Sequence, residues 1–196
     1  MKTLAAALLI IVALVLHHAL AQPAGAGGKY IGTVQAEFGA DGRSMTLLQP
    51  FRYIDPAGIE WSAPIGAVID GASIPQVAWS LIGGPFEGRY REASVIHDVA
   101  CVEKTRPWNA VHEVFYFAML TSAVDPVKAK IMYAAVHHFG PRWSTKNAPG
   151  ISGGGMDIPA PKTLTESDFA SLKATVEARD REGRAMTLSE IRAYRP

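Results

Sequence analysis

The spacing of hydrophobic positions divides this chain into a first half typical of strands and a second half typical of helices. Between residues 29 and 70, short apolar runs are separated by Gly, Asp and Pro turn signals such as Asp41-Gly42, which indicates an antiparallel sheet of several short strands. After Ile74-Pro75 the apolar period becomes that of helices. This period predicts three helices, at residues 90–104, 109–122 and 126–139.

Start and stop signals support these helices and extend the prediction to the C-terminus. Asp125-Pro126 is an N-cap followed by proline at the first helical position, and Gly140-Pro141 is a stop signal. Residues 144–163 are rich in Gly, Pro, Ser and Asn, which predicts a linker. Helical spacing resumes in the tail at residues 164–196, where Thr187 and Glu190 fit a capping box.

Together these patterns predict an α+β fold. A core domain at residues 29–143 packs an N-terminal antiparallel sheet of short strands against a bundle of about three helices, and a helical C-terminal tail follows the linker. About 175 residues remain after residue 21, which is enough for one domain with a proper hydrophobic core.

The first 28 residues have the features of an export signal followed by a short linker. Lys2 provides a positive n-region, an apolar run extends to Leu16, and Ala19-Leu20-Ala21 matches the pattern that signal peptidase cleaves. We therefore expect a signal peptide at residues 1–21 and a flexible Pro/Gly/Ala linker at residues 22–28. The alternative is a membrane anchor, but the run is shorter than the roughly 20 residues that a spanning helix needs. We expect no stable transmembrane anchor and an exported protein, periplasmic or secreted.

Charge and cysteine content exclude two further features. The formal net charge is +1 at pH 7 and the basic residues are scattered, so no basic face predicts binding to nucleic acid. Cys101 is the only cysteine, so the domain has no internal disulfide and its core must suffice alone. Cys101 is expected to be a small buried residue of the core.

The strongest candidate for chemistry is the pair His97-Asp98 in the middle of an apolar helix. Two ionisable side chains there cost several kcal/mol unless each finds a partner or a metal ion, so the pair indicates either a site or a buried structural network. On the predicted helix, His97 shares a face with Ala93 and Cys101, and Asp98 lies about 100° away. The small residues beside His97 leave room for another chain segment or a ligand.

Six further residues lie near enough in the pattern to be weighed beside this pair. Asp70-Gly71 and Ser73 either contribute to a site or form a turn that leaves a strand. His112 lies on a core-like stripe of the second helix, and His137 with His138 ends the third helix, where an imidazolium would interact favourably with the helix dipole. The Asp70-Gly71 stretch does not resemble a phosphate loop. The chain also has no G-x-S-x-G, H-E-x-x-H or paired C-x-x-C motif, so serine hydrolases, standard zincins and structural zinc sites are not supported.

A series of short motifs occurs in a specific order between residues 61 and 143. They are Asp70-Gly71-Ala72-Ser73-Ile74-Pro75, Trp79, Tyr90, Ala93, Ile96-His97-Asp98, Phe115, Ala118-Met119 and Val136-His137-His138-Phe139-Gly140. In this order the chain resembles the bacterial and phage family called domain of unknown function 1353 (DUF1353), for which no activity is settled. Many members have an acidic residue three positions before the Phe that matches Phe115, and this chain has His112 there.

A looser similarity is to secreted bacterial phospholipases A2, which also pass from an Asp-Gly-x-Ser stretch to a His-Asp pair on a helix. That resemblance implies that His97 is the base for an attacking water, while Asp70, the Gly71 carbonyl and Asp98 hold calcium. It also implies an acid at position 112 that orients His97, and this chain lacks that acid. Those enzymes are disulfide-linked, whereas this chain has one cysteine.

Three hypotheses follow. The first is a metal-assisted hydrolase of the cell envelope, with His97 and Asp98 catalytic and with Asp70, Gly71 and Asp98 at a divalent metal, calcium being favoured over zinc. The second is a non-enzymatic envelope or phage-related interaction module, in which the His-Asp pair is structural and the partner is a protein. The third, ranked last because its spacings fit no standard zinc motif, is a zinc site built from His97, Asp98 and either His112 or His137.

Overall fold

The computed structural model of this chain describes residues 27–42, 44–70, 77, 79, 83, 88–145, 157–158 and 163–195. The predicted signal peptide lies outside the described residues, as do most of the linker at residues 22–28 and the candidate residues Gly71 and Ser73. Cleavage and export of the chain therefore stay predictions.

The N-terminal half forms two small antiparallel sheets, where the pattern alone indicated one. The strands are β1 (Lys29–Ile31), β2 (Ala36–Phe38), β3 (Met45–Leu47), β4 (Phe51–Ile54), β5 (Glu60–Ala63) and β6 (Val68–Ile69). The strand order is β1-β4-β5 in one sheet and β2-β3-β6 in the other. Phe51 and Tyr53 are buried while Arg52 between them is exposed, as expected for a strand with one face on the core. A further pair joins β7 (Arg142–Trp143) to β8 (Asp157–Ile158), which lies within the predicted linker.

The second half is helical, as the apolar period predicts. The helices are α1 (Arg91–Glu103), α2 (Trp108–Thr121), α3 (Pro126–Phe139), α4 (Glu166–Arg181) and α5 (Leu188–Ala193). With the sheets they confirm the α+β class. Asp125 caps α3, since its Oδ1 accepts hydrogen bonds from the backbone N–H groups of Val127 and Lys128, both at 3.0 Å. Thr187 and Glu190 form the predicted capping box of α5. Among the described residues, no helix combines the length and apolarity needed to cross a membrane.

One hydrophobic core joins the sheets to the helices, and α1 lies at its centre. This helix packs on α2 and on strands β4, β5 and β6. Every residue of α1 from Ala93 to Val99 is buried. The polar side chains of a helix that is covered on all sides need hydrogen-bond partners within the protein. The fold therefore places His97 and Asp98 where an unpartnered charge would be costly.

The C-terminal tail packs on this core. Helices α4 and α5 both contact α3, and Phe169 and Ile191 are fully buried. His138 Nε2–H donates a hydrogen bond to the Ile191 carbonyl oxygen at 2.7 Å. Arg192 forms an ion pair with Glu113 on α2 at 3.0 Å. The tail is therefore a packed part of the domain.

Candidate functional site

Three side chains that can bind a metal or carry a proton meet in the interior between α1 and α2. They are His97 and Cys101 on α1 and His112 on α2, and all three are buried. His97 Nε2 lies 2.9 Å from His112 Nδ1 and 3.7 Å from the Cys101 sulfur. The three donor atoms lie within 4.8 Å of one another, and the described residues contain no second group of three such side chains. We call this the His97–Cys101–His112 cluster.

Helix periodicity and a short loop bring the cluster together. His97 and Cys101 are four residues apart, so they lie one turn apart on the same face of α1. Lys104 ends α1 with a left-handed φ of 53°, and α2 begins at Trp108 and packs on α1. His112 lies early in α2 on its buried stripe, as the sequence predicts, and this position places its ring against His97.

The helix stop at Gly140-Pro141 supplies the third anchor of the cluster. A Cβ on Gly140 would lie 2.4 Å from the Val136 carbonyl oxygen, so a glycine is needed for the close backbone approach that ends α3. The next carbonyl, of Pro141, lies 3.0 Å from His112 Nε2. The end of α3 therefore fixes the orientation of a ring on α2.

These contacts determine which nitrogen of each ring carries the proton. A carbonyl can only accept, so His112 Nε2–H donates to the Pro141 oxygen. In the neutral ring His112 Nδ1 is then an acceptor, and His97 Nε2–H donates to it. His97 Nδ1 is left with its lone pair, and this buried atom has no hydrogen-bond partner in the described structure.

Burial keeps both histidines neutral. Desolvation lowers the pKa of His97 well below 6.5, and the neighbouring His112 lowers it further. Desolvation also lowers the pKa of His112 to about 3, against the opposing effect of the hydrogen bond to the Pro141 oxygen. At pH 7 the cluster therefore contains two neutral imidazoles, the form in which histidine binds metals.

Aromatic rings fill the room that the small residues of α1 leave beside His97. The Phe115 ring stacks on His97 with a centroid distance of 4.7 Å. Trp108 and Trp143 lie against His112, with centroid distances of 5.7 and 6.2 Å. Helix α2 thus occupies the space beside His97.

A separate surface cavity of about 300 Å³ is bordered by Ile96 and Ala100 of α1.

The other predicted site residues do not join the cluster. Asp98 is buried on α1 with 3% exposure, and Asp70 is exposed at the end of β6. Neither belongs to the group of three donors, and Gly71 lies outside the described residues. Calcium binding by Asp70, Gly71 and Asp98 therefore stays a prediction. Cys101 was not predicted as a site residue, although its spacing of four from His97 on the same helix face was a signal for it.

His137 and His138 also lie outside the cluster, and they are neutral. The His137 ring packs against Trp108 at a centroid distance of 5.3 Å, and burial lowers its pKa to about 4. Burial likewise lowers the pKa of His138. The pair does lie in the last turn of α3, but burial opposes the imidazolium form that was expected there.

Comparison with known proteins places the chain in a family. Residues 45–136 match the family model described as "Protein of unknown function (DUF1353)". The uncharacterized protein y4iH of Sinorhizobium fredii is 36% identical over 168 residues, which cover 78% of this chain and 70% of that protein. The chain belongs to the DUF1353 family.

A second match is shorter. The uncharacterized protein y4jT of Sinorhizobium fredii is 50% identical over 98 residues, and this match spans 50% of the chain but only 29% of y4jT. No solved structure matches the chain. The DUF1353 resemblance predicted from the motifs is thus confirmed, whereas none of these comparisons shows the similarity to phospholipases A2. The matched region contains all three residues of the cluster but ends before Pro141 and the tail.

Proposed function

We propose that this domain is an exported hydrolase of the cell envelope, in which a metal ion bound at His97 assists the attack of water on the substrate. The observation that carries the proposal is the hydrogen-bond chain from Pro141 through His112 to His97. In the metal-free protein this hydrogen-bond chain holds the neutral imidazole of His97 in one orientation, with Nε2 facing His112 Nδ1, so a metal ion would meet two oriented imidazoles there. The N-terminal pattern that ends at Ala21 supports export.

His112 supplies the orienting contact that an acidic residue would supply in the phospholipase-like pattern. Its Nδ1 accepts from His97 Nε2–H at 2.9 Å, and its own Nε2–H is held by a backbone carbonyl. A ring anchored in this way selects the tautomer of its partner just as a carboxylate does. The absence of an acid at position 112 therefore does not remove the orientation of His97.

Metal assistance suits this histidine better than simple base catalysis. A general base works best when its pKa lies near the operating pH, and burial lowers the pKa of His97 well below 6.5. The neutral imidazole of His97 would hold a metal ion directly, and the metal would supply the activation of water for hydrolysis, so the reaction would not depend on the pKa of this ring.

Activity is tested with protein purified from cells that express the whole chain, assayed on phospholipid vesicles and on peptidoglycan. His97→Gln should lower the rate by about 100-fold or more, the scale of a lost catalytic group. His137→Gln is the matched control, because it removes a buried histidine outside the cluster and should leave the rate close to wild type. A folded His97→Gln variant with the wild-type rate on every substrate cleaved would refute the hydrolase.

A non-enzymatic interaction module is the second candidate, favoured by the complete burial of His97. In this case the cluster joins α1, α2 and the end of α3 as a structural network. His97→Gln would then cost about 2–4 kcal/mol of unfolding free energy, as expected for a broken buried network, and no hydrolysis would be found. Urea unfolding of the same two variants distinguishes the candidates, because a hydrolase predicts loss of rate in a protein that remains folded.

A further inference from the structure

We infer that His97 Nε2, Cys101 Sγ and His112 Nδ1 form a zinc site. The inference deepens the proposed function and rests on it in one respect, since these side chains would hold the metal of the hydrolase. Metal binding itself is measurable without any substrate. The three donor atoms already lie within 4.8 Å of one another in the interior, so folding has brought the ligands together.

The chemistry of the donors selects zinc over calcium. Calcium takes six to eight oxygen ligands, and the cluster offers two imidazole nitrogens and one thiol sulfur. Imidazole and thiolate are the ligands of zinc, and three protein ligands with one remaining position are the pattern of catalytic zinc sites. This donor set also differs from a zinc site that includes Asp98 or His137, because neither residue belongs to the cluster.

The observed distances are close to those that zinc imposes. With Zn–N near 2.0 Å and Zn–S near 2.3 Å, tetrahedral geometry separates two nitrogens by about 3.3 Å and a nitrogen from sulfur by about 3.6 Å. The cluster has 2.9 Å between His97 Nε2 and His112 Nδ1, and 3.7 Å between His97 Nε2 and Cys101 Sγ. Zinc therefore requires the two rings to separate by about 0.4 Å. It also requires about 3.6 Å between His112 Nδ1 and Cys101 Sγ, in a group whose donor atoms lie within 4.8 Å of one another.

The ring of His112 already has the outer partner of a metal ligand, whereas the ring of His97 would have to change its tautomer. A histidine that binds metal through one nitrogen normally donates its other N–H to a carbonyl or carboxylate, which fixes the ring. His112 Nε2–H already donates to Pro141 in this way. For His97, the proton on Nε2 must move to Nδ1, and Nδ1 carries the lone pair that can take it.

Charge balance shows what the fourth ligand would be. Two neutral imidazoles and one thiolate leave Zn²⁺ with a net charge of about +1, which is costly in a buried site. A bound hydroxide brings the net charge of the centre to zero. Burial therefore favours hydroxide over water at the remaining position, which is the nucleophile that the proposed hydrolysis uses. Binding also releases the Cys101 thiol proton to solvent.

The test is a cobalt titration of the whole protein after its metal has been removed with chelator. Tetrahedral cobalt bound to thiolate has a sulfur-to-metal charge-transfer band in the near ultraviolet and strong visible bands. Cys101 is the only cysteine, so this band identifies its sulfur without any variant. We expect saturation at about one equivalent and displacement of cobalt by zinc, in keeping with their order of affinity at such sites.

Variants then assign the ligands. Cys101→Ser, which is nearly isosteric, should lose the near-ultraviolet band. His112→Gln should weaken cobalt binding by about 100-fold or more, which exceeds the loss typical of a residue that only hydrogen-bonds to a ligand. Asp98→Asn and His137→Gln are matched controls that should bind as wild type does. The inference is overturned if folded wild-type protein shows no thiolate band, or if Asp98→Asn or His137→Gln abolishes it. Zinc binding without hydrolysis refutes the hydrolase alone. Metal-dependent hydrolysis by folded protein that shows no thiolate band refutes the zinc site alone, because a metal at His97 without Cys101 would then carry the reaction.

Discussion

Replacement of Phe169 by alanine should destabilise the whole domain, because this ring joins the C-terminal tail to the core. Phe169 lies on α4, is fully buried, and belongs to the same hydrophobic core as the sheets and the first three helices. The family match ends at residue 136, well before α4. The experiment therefore asks whether the folding unit extends beyond the region that the family match covers.

The expected magnitude follows from the buried area. A phenylalanine ring that buries about 150 Å² at about 25 cal/mol per Å² contributes about 4 kcal/mol, and measured Phe→Ala changes in cores cost about 3–5 kcal/mol. Phe38 on β2 is the matched control, because it is 69% exposed. The same substitution there should cost about 1 kcal/mol, since only about a third of the ring is covered.

Equilibrium unfolding in urea, followed by two signals, measures both effects. Trp61 and Trp143 are buried in the core outside the tail helices, so tryptophan fluorescence reports on the core, while far-ultraviolet circular dichroism also reports on α4 and α5. One cooperative unit predicts coincident transitions that shift together in Phe169→Ala. If the fluorescence transition stays in place while the dichroism transition moves, the tail folds separately and the reasoning is refuted.

Three further outcomes are expected. Metal-free protein should lose stability as the pH falls below about 6.5. In the folded protein the pKa is about 3 for His112 and about 4 for His137, and both values lie below that of an unfolded histidine. Below about pH 6.5 the unfolded chain therefore binds more protons than the folded protein does. The loss is up to about 1.4 kcal/mol per pH unit for each histidine, and equal unfolding free energies at pH 7 and pH 5 would contradict it. Asp125→Ala should cost about 1 kcal/mol through loss of the α3 cap, measured by the same urea titration, and a change near zero would argue against the cap. Mass spectrometry of the exported protein should find Gln22 as its first residue, and an uncleaved N-terminus would exclude the signal peptide.

Local pattern was sufficient for most of the fold. The three predicted core helices occur within a few residues of their expected bounds, the tail is helical as expected, and the caps at Asp125 and at Thr187 with Glu190 form as expected. These features depend on residues at most four positions apart, so the chain encodes them locally. The division of the strands into two sheets was not predicted, because pairing depends on partners far along the chain, such as Tyr30 opposite Tyr53.

The candidate site divides in the same way. The sequence by itself determined that His97 and Asp98 would be buried at a cost, since both interrupt an apolar helix, and that Cys101 would share the face of His97. Only the tertiary structure decided that His112 faces His97, that the Pro141 carbonyl sets the tautomer of both rings, and that the tail packs on α3. Contacts between helices depend on the rotation and crossing of each pair. A change of a few tenths of an ångström in the packing of two helices decides whether two ring nitrogens come within hydrogen-bond distance. No local sequence pattern encodes that distance.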